Sequence, residues 1–210
     1  MTFVADTISF REIVMKESLP LATIQTAVIA FLRGRDDVAL FGAQAVNVYV
    51  SEPRATQDVD VMSTRAADLA EELREHLSQL FHIAARVREV KGGLGYRIFQ
   101  LQKTGNRHLV DVRSVNSFPQ LDRIDEVLVL APADLIASKV ISYHQRRGKP
   151  KSFTDRRDLA VLLLTFPELK CDPGPVTDCL QNAKADPNIL AIWRELVEQD
   201  IVPESEDDDF

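Results

Sequence analysis

Asp58 and Asp60 are the residues whose type and spacing point most directly to chemistry. They sit two apart in Gln57-Asp58-Val59-Asp60-Val61, and strand geometry sends both carboxylates to one side while Val59 and Val61 face an apolar interior. Two carboxylates held about 4–5 Å apart repel by about 4 kcal/mol at an effective dielectric near 20. A divalent cation between them turns that repulsion into binding, and hard oxygen donors are what such an ion takes. A third acid, Asp111, lies between apolar neighbours in Leu109-Val110-Asp111-Val112. Taken alone it reads more simply as an exposed residue on the polar face of an edge strand. The pair upstream reverses that preference, because three isolated acids on strands of one sheet can hold two metal ions and activate a hydroxyl.

The elements that must position these acids are legible in the pattern. Val38-Ala39-Leu40-Phe41 is a short apolar strand that stops at Gly42, and the small residues Gly42-Ala43-Gln44-Ala45 open a helical segment through Val50. Pro53 ends that segment, Arg54-Ala55-Thr56 forms a connection, and the next strand carries Asp58 and Asp60. Upstream, Leu21, Ile24, Val28, Ile29, Phe31 and Leu32 make a helical face from Pro20. Residues 8–15 fit either a short helix or an extended lead-in. Ser63-Thr64 signals a helix over 65–80 with Leu69, Leu73, Leu77 and Leu80 in one stripe.

The period then changes to that of strands, at 83–90, 96–101, 108–115 and 126–130. Gly92-Gly93 is the first turn and Lys103-Thr104-Gly105-Asn106 a hairpin loop. Gly92-Gly93-x-Gly95 lacks a following helix, so it is a turn and not a phosphate cradle. Helices follow from Pro132 to about His144, from Ser152 through Phe166, from Pro173/Pro175 to about Ala183, and over 189–197. This order predicts an α+β fold, a mixed sheet flanked by helices with a helical C-terminal portion. The expected division is a core over 1–130, helices packed on it over 131–203, and an acidic disordered tail over 204–210.

Composition is that of a soluble globular protein, with 45% hydrophobic and 27% charged residues in 210. No apolar run approaches the ~20 residues that span a bilayer. The N-terminus shows no export signal. Cys171 and Cys179 match no metal or redox motif, which fits reduced thiols and a cytoplasmic location. The net charge of −7 argues against a non-specific nucleic-acid binder, yet the last seven residues hold five of the carboxylates. The remaining body is near neutral, and its dense basic cluster is Arg146-Arg147-Gly148-Lys149-Pro150-Lys151 with Arg156-Arg157, either a phosphate-contacting edge or a solvated loop. His76, His82, His108 and His144 show no paired metal-ligand spacing.

Gly42, the short helix, Arg54-x-Thr56-x-Asp58-x-Asp60 and the Asp111 strand resemble the minimal nucleotidyltransferases of the DNA polymerase β-like superfamily. Within it the spacing is similar to the AbiEii/AbiGii-type toxin nucleotidyltransferases of abortive-infection and toxin–antitoxin systems, from about Val38 to Leu163. Leu135-Ile136-Ala137-Ser138-Lys139 and Lys151 with Asp155-Arg156-Arg157-Asp158 continue the likeness. The family carries a second glycine or a serine where this chain has Ala43, which keeps a backbone donor and loses a side-chain contact.

The resemblance implies that Mg²⁺, most simply as a two-ion site, is held by Asp58, Asp60 and Asp111, with an NTP as substrate. Gly42, Ala43 and Gln44 at the helix start would meet its phosphates, where unpaired N–H groups and the helix dipole favour anions. Arg54, Thr56, Lys139, Lys151 and Asp158 would complete the nucleotide site. Asp155 reads instead as structural, closing a capping box begun by Ser152. The implied reaction is transfer of NMP to a hydroxyl acceptor, RNA (tRNA in particular) or protein, by a toxin with a cognate antitoxin. The alternatives are a non-catalytic nucleotide-binding or antitoxin-like protein and an enzyme that modifies a small-molecule antibiotic.

Overall fold

The computed structural model describes residues 19–90, 92–103 and 105–203. The lead-in at 8–15, Thr104 of the hairpin loop and the acidic tail lie outside those residues. The chain runs α1 (Leu21–Leu32), β1 (Val38–Phe41), α2 (Gly42–Tyr49), β2 (Val59–Ser63), α3 (Ala66–Phe81), β3 (Ala85–Val90), β4 (Gly95–Gln100) and β5 (Arg107–Ser114). It continues β6 (Leu121–Ile124), β7 (Val127–Leu130), α4 (Pro132–Gln145), α5 (Pro150–Thr165), α6 (Pro175–Asn182) and α7 (Pro187–Glu198). No helix among the described residues is long and apolar enough to cross a membrane.

The strands form a seven-stranded sheet in the order β3-β4-β5-β2-β1-β7-β6. The two strands predicted to bear chemistry, β2 and β5, are adjacent and parallel at its centre, while β1 runs antiparallel to β2. The fold is therefore the expected α+β class with a mixed sheet. Helix α3 lies on this sheet through Ala66, Leu69, Ala70, Leu73 and Leu77, all buried. Leu80, expected in the same stripe, is 52% exposed, and Phe81 packs against the core in its place.

One strand escaped the sequence pattern. β6, Leu121-Asp122-Arg123-Ile124, is short, edge-placed and polar in its middle, so it shows no alternation to detect. It pairs with β7 across Asp125-Glu126, both at positive φ (47° and 67°). Two such residues make a tight hairpin turn of the kind that usually needs Asn-Gly. Here the Gly34 N–H, donating to the Glu126 carbonyl at 2.9 Å, ties the turn to the end of α1.

A second correction concerns α5. Ser152 was expected to cap it with Asp155 closing the box, but the helix begins at Pro150 with Lys149 before it. Proline is favoured at the first helical position because its missing N–H would be unpaired there anyway. Ser152 Oγ donates to the Lys149 carbonyl instead, and Asp155 is buried against α4.

Helices α6 and α7 close the C-terminal portion. Trp193 is fully buried, its Nε1–H donating to Thr177 Oγ1 at 3.1 Å, and that hydroxyl donates to Asp172 at 2.7 Å. Replacing Thr177 by valine keeps the volume but leaves the indole N–H without an acceptor. Thr177→Val is expected to lower stability by about 1–3 kcal/mol in urea unfolding, without altering whatever activity the folded fraction has. An unchanged unfolding midpoint would show that the indole finds another partner.

Candidate active site

The register of the central strands assembles the acids. Asp60 is the Cα partner of Phe41 on β1 and of Asp111 on β5, so Gly42, Asp60 and Asp111 fall side by side at one end of the sheet. Asp58 sits just before the first residue of β2, not within it. Val59, Val61, Val110 and Val112 are buried and anchor the two strands, which leaves the carboxylates little freedom.

Gly42 is required here by geometry. Its φ is +74°, and a Cβ at this position would overlap the Asp60 carboxyl and lie 2.8 Å from Asp60 Cβ. The chain turns sharply at this glycine into α2, whose first N–H groups receive no side-chain cap.

A cleft of about 410 Å³ opens over this arrangement. Ala43, Arg54, Thr56, Asp58, Asp60, Asp111 and Lys151 all line it, joined by Arg97, Arg146 and Asp155. Gln44 takes another position. Its Nε2 donates to Thr56 Oγ1 at 2.7 Å, and the same oxygen accepts from Gln25 Nε2 at 3.0 Å. Asn47, which the sequence reading passed over, accepts from the Arg54 N–H at 3.0 Å and donates to its carbonyl at 2.8 Å. The connection between α2 and β2 is thus tied down by amide side chains on α1 and α2.

Lys139 and Asp158 lie behind the cleft wall. Asp158 is fully buried and receives Arg54 Nε at 2.7 Å and Nη2 at 2.9 Å, a two-pronged pair. Lys139 Nζ donates to the same carboxylate at 2.6 Å and lies 3.6 Å from Asp155, which in turn accepts from Arg146 at 2.9 Å. Burial works to raise Asp158, but Arg54 and Lys139 outweigh it and hold its carboxyl below the usual range. This network joins the Arg54 connection to α4 and α5. It points the Arg54 guanidinium inward, and the Lys139 charge still reaches Asp60.

His108, set aside from sequence, turns out to be central. Its Nδ1 is 3.1 Å from Asp58 Oδ2, and its Nε2 is 3.2 Å from Asp111 Oδ1, the latter a charge contact and not an aligned hydrogen bond. Asp111 first and Asp58 next push this histidine up to about 9, so it is an imidazolium at neutral pH. Only the fold could reveal it, since β5 places His108 opposite the end of β2. Arg97 also bonds Asp111, at 2.8 Å. Burial works to raise Asp111, yet His108 and Arg97 keep it below its ordinary value.

Asp60 behaves in the opposite way. Burial, then the charges of Asp58 and Asp111, push it up to about 6. Asp60 is thus the acid short of positive charge, and its carboxylate stands outside the cluster of donor atoms found among the described residues. Asp58, His108 and Asp111 bring one donor atom each to within 4.8 Å of one another. An ion that took the His108 ring nitrogen would require the neutral ring, so the fit to a divalent ion rests on the carboxylate oxygens of Asp58 and Asp111.

Two expectations follow from this balance. A carboxyl whose folded pKa exceeds its unfolded value destabilises the fold as pH rises through the interval between them, here from near 4 to about 6. In chelator-treated protein at neutral pH, Asp60→Asn should raise stability by about 1–3 kcal/mol, the gain shrinking towards pH 4. Equal urea midpoints at neutral pH would show that Asp60 ionises without cost. Asp158→Ala, by contrast, strands Lys139 and Arg54 and should cost about 3–5 kcal/mol. Loss of activity at unchanged stability would instead place Asp158 in direct contact with substrate.

A family model described as nucleotidyl transferase AbiEii toxin, type IV TA system, matches residues 27–208. No curated protein matches the sequence. Among solved structures, the Megavirus polyadenylate synthase is similar at 15% identity and a TM-score of 0.56, over 73% of this chain and 33% of that one. The chain thus spans about a third of that enzyme's length. A nucleotidyltransferase described as putative and the protein JHP933, both from Helicobacter pylori, are each 12% identical with TM-scores of 0.52 and 0.51. They cover 84% of this chain and 88% and 89% of their own. At these identities the likeness shows the fold alone, that of nucleotidyltransferases. The match over nearly the whole chain goes further: this protein belongs to the AbiEii nucleotidyltransferase toxin family.

Proposed function

We propose that this nucleotidyltransferase transfers NMP from an NTP to a hydroxyl acceptor at the Asp58–Asp60–Asp111 cleft, with Mg²⁺ as its ion. The observation that supports this most is the register of β1, β2 and β5, which brings a glycine turn and the acids to one end of the sheet. The phosphates would lie over Gly42 and Ala43, where the first N–H groups of α2 have no side-chain cap. Ala43 keeps its N–H and presents only a methyl to the cleft, so the grip there is made by backbone. Lys151, exposed on the cleft wall, is free to approach the outer phosphates. Arg54 and Lys139 act through position, the first orienting the wall and the second lending charge to Asp60.

Asp58, Asp60 and Asp111 would hold the ion, which when bound would screen the phosphate charge and make the acceptor hydroxyl more acidic. The hydroxyl oxygen forms a bond to the α-phosphorus as the bond to the bridging oxygen breaks. Pyrophosphate leaves with that electron pair, and the hydroxyl proton passes to Asp111. Asp111 would take it by position, since it lies beside Asp60, although His108 and Arg97 hold its carboxyl below the ordinary value and make it a weak base. In the cell the reading is that of a toxin restrained by a cognate antitoxin.

Incubation with each labelled NTP, Mg²⁺ and total RNA or lysate tests the proposal. Wild type should transfer label, and Asp58→Asn and Asp60→Asn should each lower transfer about 100-fold or more, because the ion supplies several kcal/mol to the transition state. Transfer that survives in both variants, or a wild type that binds no NTP, would sink it.

A further inference from the structure

A pocket of about 230 Å³ lies between α1, α2 and the β6–β7 hairpin, and it shares no residue with the nucleotide cleft. Its floor is apolar, built on Leu40 and Val129, Cα partners across β1 and β7, with Ile29 on α1 and Ile124 on β6. Val48 on α2, 41% exposed, lines it too. Two opposite charges complete the lining, Arg33 at the end of α1 and Asp125 in the β6–β7 turn. Both are exposed, and neither makes an ion pair among the described residues, whereas Arg35 and Arg123 close by in sequence are paired with Asp37 and Asp36. The hydrogen bond from the Gly34 N–H to the Glu126 carbonyl joins the residues that follow each of them. The two charges are therefore held near one another without meeting.

We infer that this pocket binds a free apolar α-amino acid, with its carboxylate at Arg33, its ammonium at Asp125 and its side chain on the apolar floor, and that the bound amino acid tightens the nucleotide cleft through α2. A zwitterion with an apolar branch matches a lining of one cation and one anion over an apolar floor. A purely apolar molecule leaves both charges unused, and a simple carboxylate meets Asp125 as a repulsive neighbour. A cavity of about 150 Å³ lined by aliphatic and aromatic side chains holds benzene. The larger volume here has room for a leucine-sized side chain together with its charged end. Gln44 and Asn47 line the same pocket from α2. Gln44 also donates to Thr56 Oγ1, and Asn47 holds both backbone groups of Arg54. Arg54 and Thr56 in turn line the nucleotide cleft, so one helix touches both spaces. An occupant packed against Gln44, Asn47 and Val48 steadies the Arg54–Thr56 wall, and less of the nucleotide's binding free energy then goes to ordering it. The site stands apart from the nucleotidyl-transfer reading, and only its effect on nucleotide rests on that reading.

The test titrates L-leucine and L-phenylalanine into the full chain by isothermal calorimetry. ATP binding with Mg²⁺ is measured by equilibrium dialysis, with and without the amino acid. One of the two should saturate the protein below about 1 mM. Its N-acetyl derivative, which lacks the ammonium, and the corresponding amine, isoamylamine or phenethylamine, which lacks the carboxylate, should each bind at least about tenfold more weakly. Arg33→Gln and Asp125→Asn should each weaken the amino acid by about the same factor. Asparagine tolerates the positive φ of 47° at Asp125, so that variant keeps the turn. Saturating amino acid should tighten ATP about fivefold, and by linkage ATP should tighten the amino acid equally. That gain should vanish in both variants, while their ATP affinity without amino acid stays that of the wild type. No saturation by either amino acid up to about 10 mM, equal binding of the acetylated or amine probes, or unchanged binding in both variants would overturn the site. ATP affinity indifferent to bound amino acid would overturn the coupling. A wild type that binds the amino acid and no NTP would support the site and remove the nucleotidyl-transfer reading, and the coupling with it.

Discussion

Crowding of negative charge at the end of β2 and β5 is the constraint on which the site depends. Asp58, Asp60 and Asp111 are brought together by strand register, and burial strengthens their repulsion. The protein answers with cations at two of the three acids, His108 between Asp58 and Asp111, and Arg97 on Asp111. Asp60 is left with distant charges only, packed against Gly42, where a side chain would collide with it. The strain is local, and the cation of the proposed mechanism would relieve it.

Around the acids stands a second, better balanced set of charges. Asp155 and Asp158 on α5 pair with Arg54, Lys139 and Arg146, and burial is offset there by short, direct contacts. This network is structural in its effect, since it locks the Arg54 connection onto the two helices that form the far wall of the cleft. A site meant to hold a highly charged substrate needs walls that do not move when the substrate's charge arrives. The contrast between a satisfied wall and an unsatisfied centre supports the proposed division into residues that position and residues that bind.

Much of this was legible in residue order. The alternation around Asp58 and Asp60, the glycine after a short apolar strand, and the proline-started helices each follow from local rules of backbone and burial. Polar or glycine-free segments were not legible. β6 has no apolar alternation, and its Asp125-Glu126 turn is held in an uncommon conformation by Gly34, far away in sequence. Ser152 looked like a cap because composition cannot tell a helix that starts two residues earlier at a proline.

By itself the sequence determined the fold class, the three acids, the glycine turn and the basic run, because each depends on neighbours a few residues away. The tertiary structure alone decided how these meet. It put His108 between Asp58 and Asp111, turned Gln44 to Thr56, and drew Lys139 and Asp158 into a buried network. It also formed a pocket between α1, α2 and β7 with Arg33 and Asp125 on its lining. Those relations join residues on different strands and helices, and charge balance in a cleft is a property of distances that no linear spacing records.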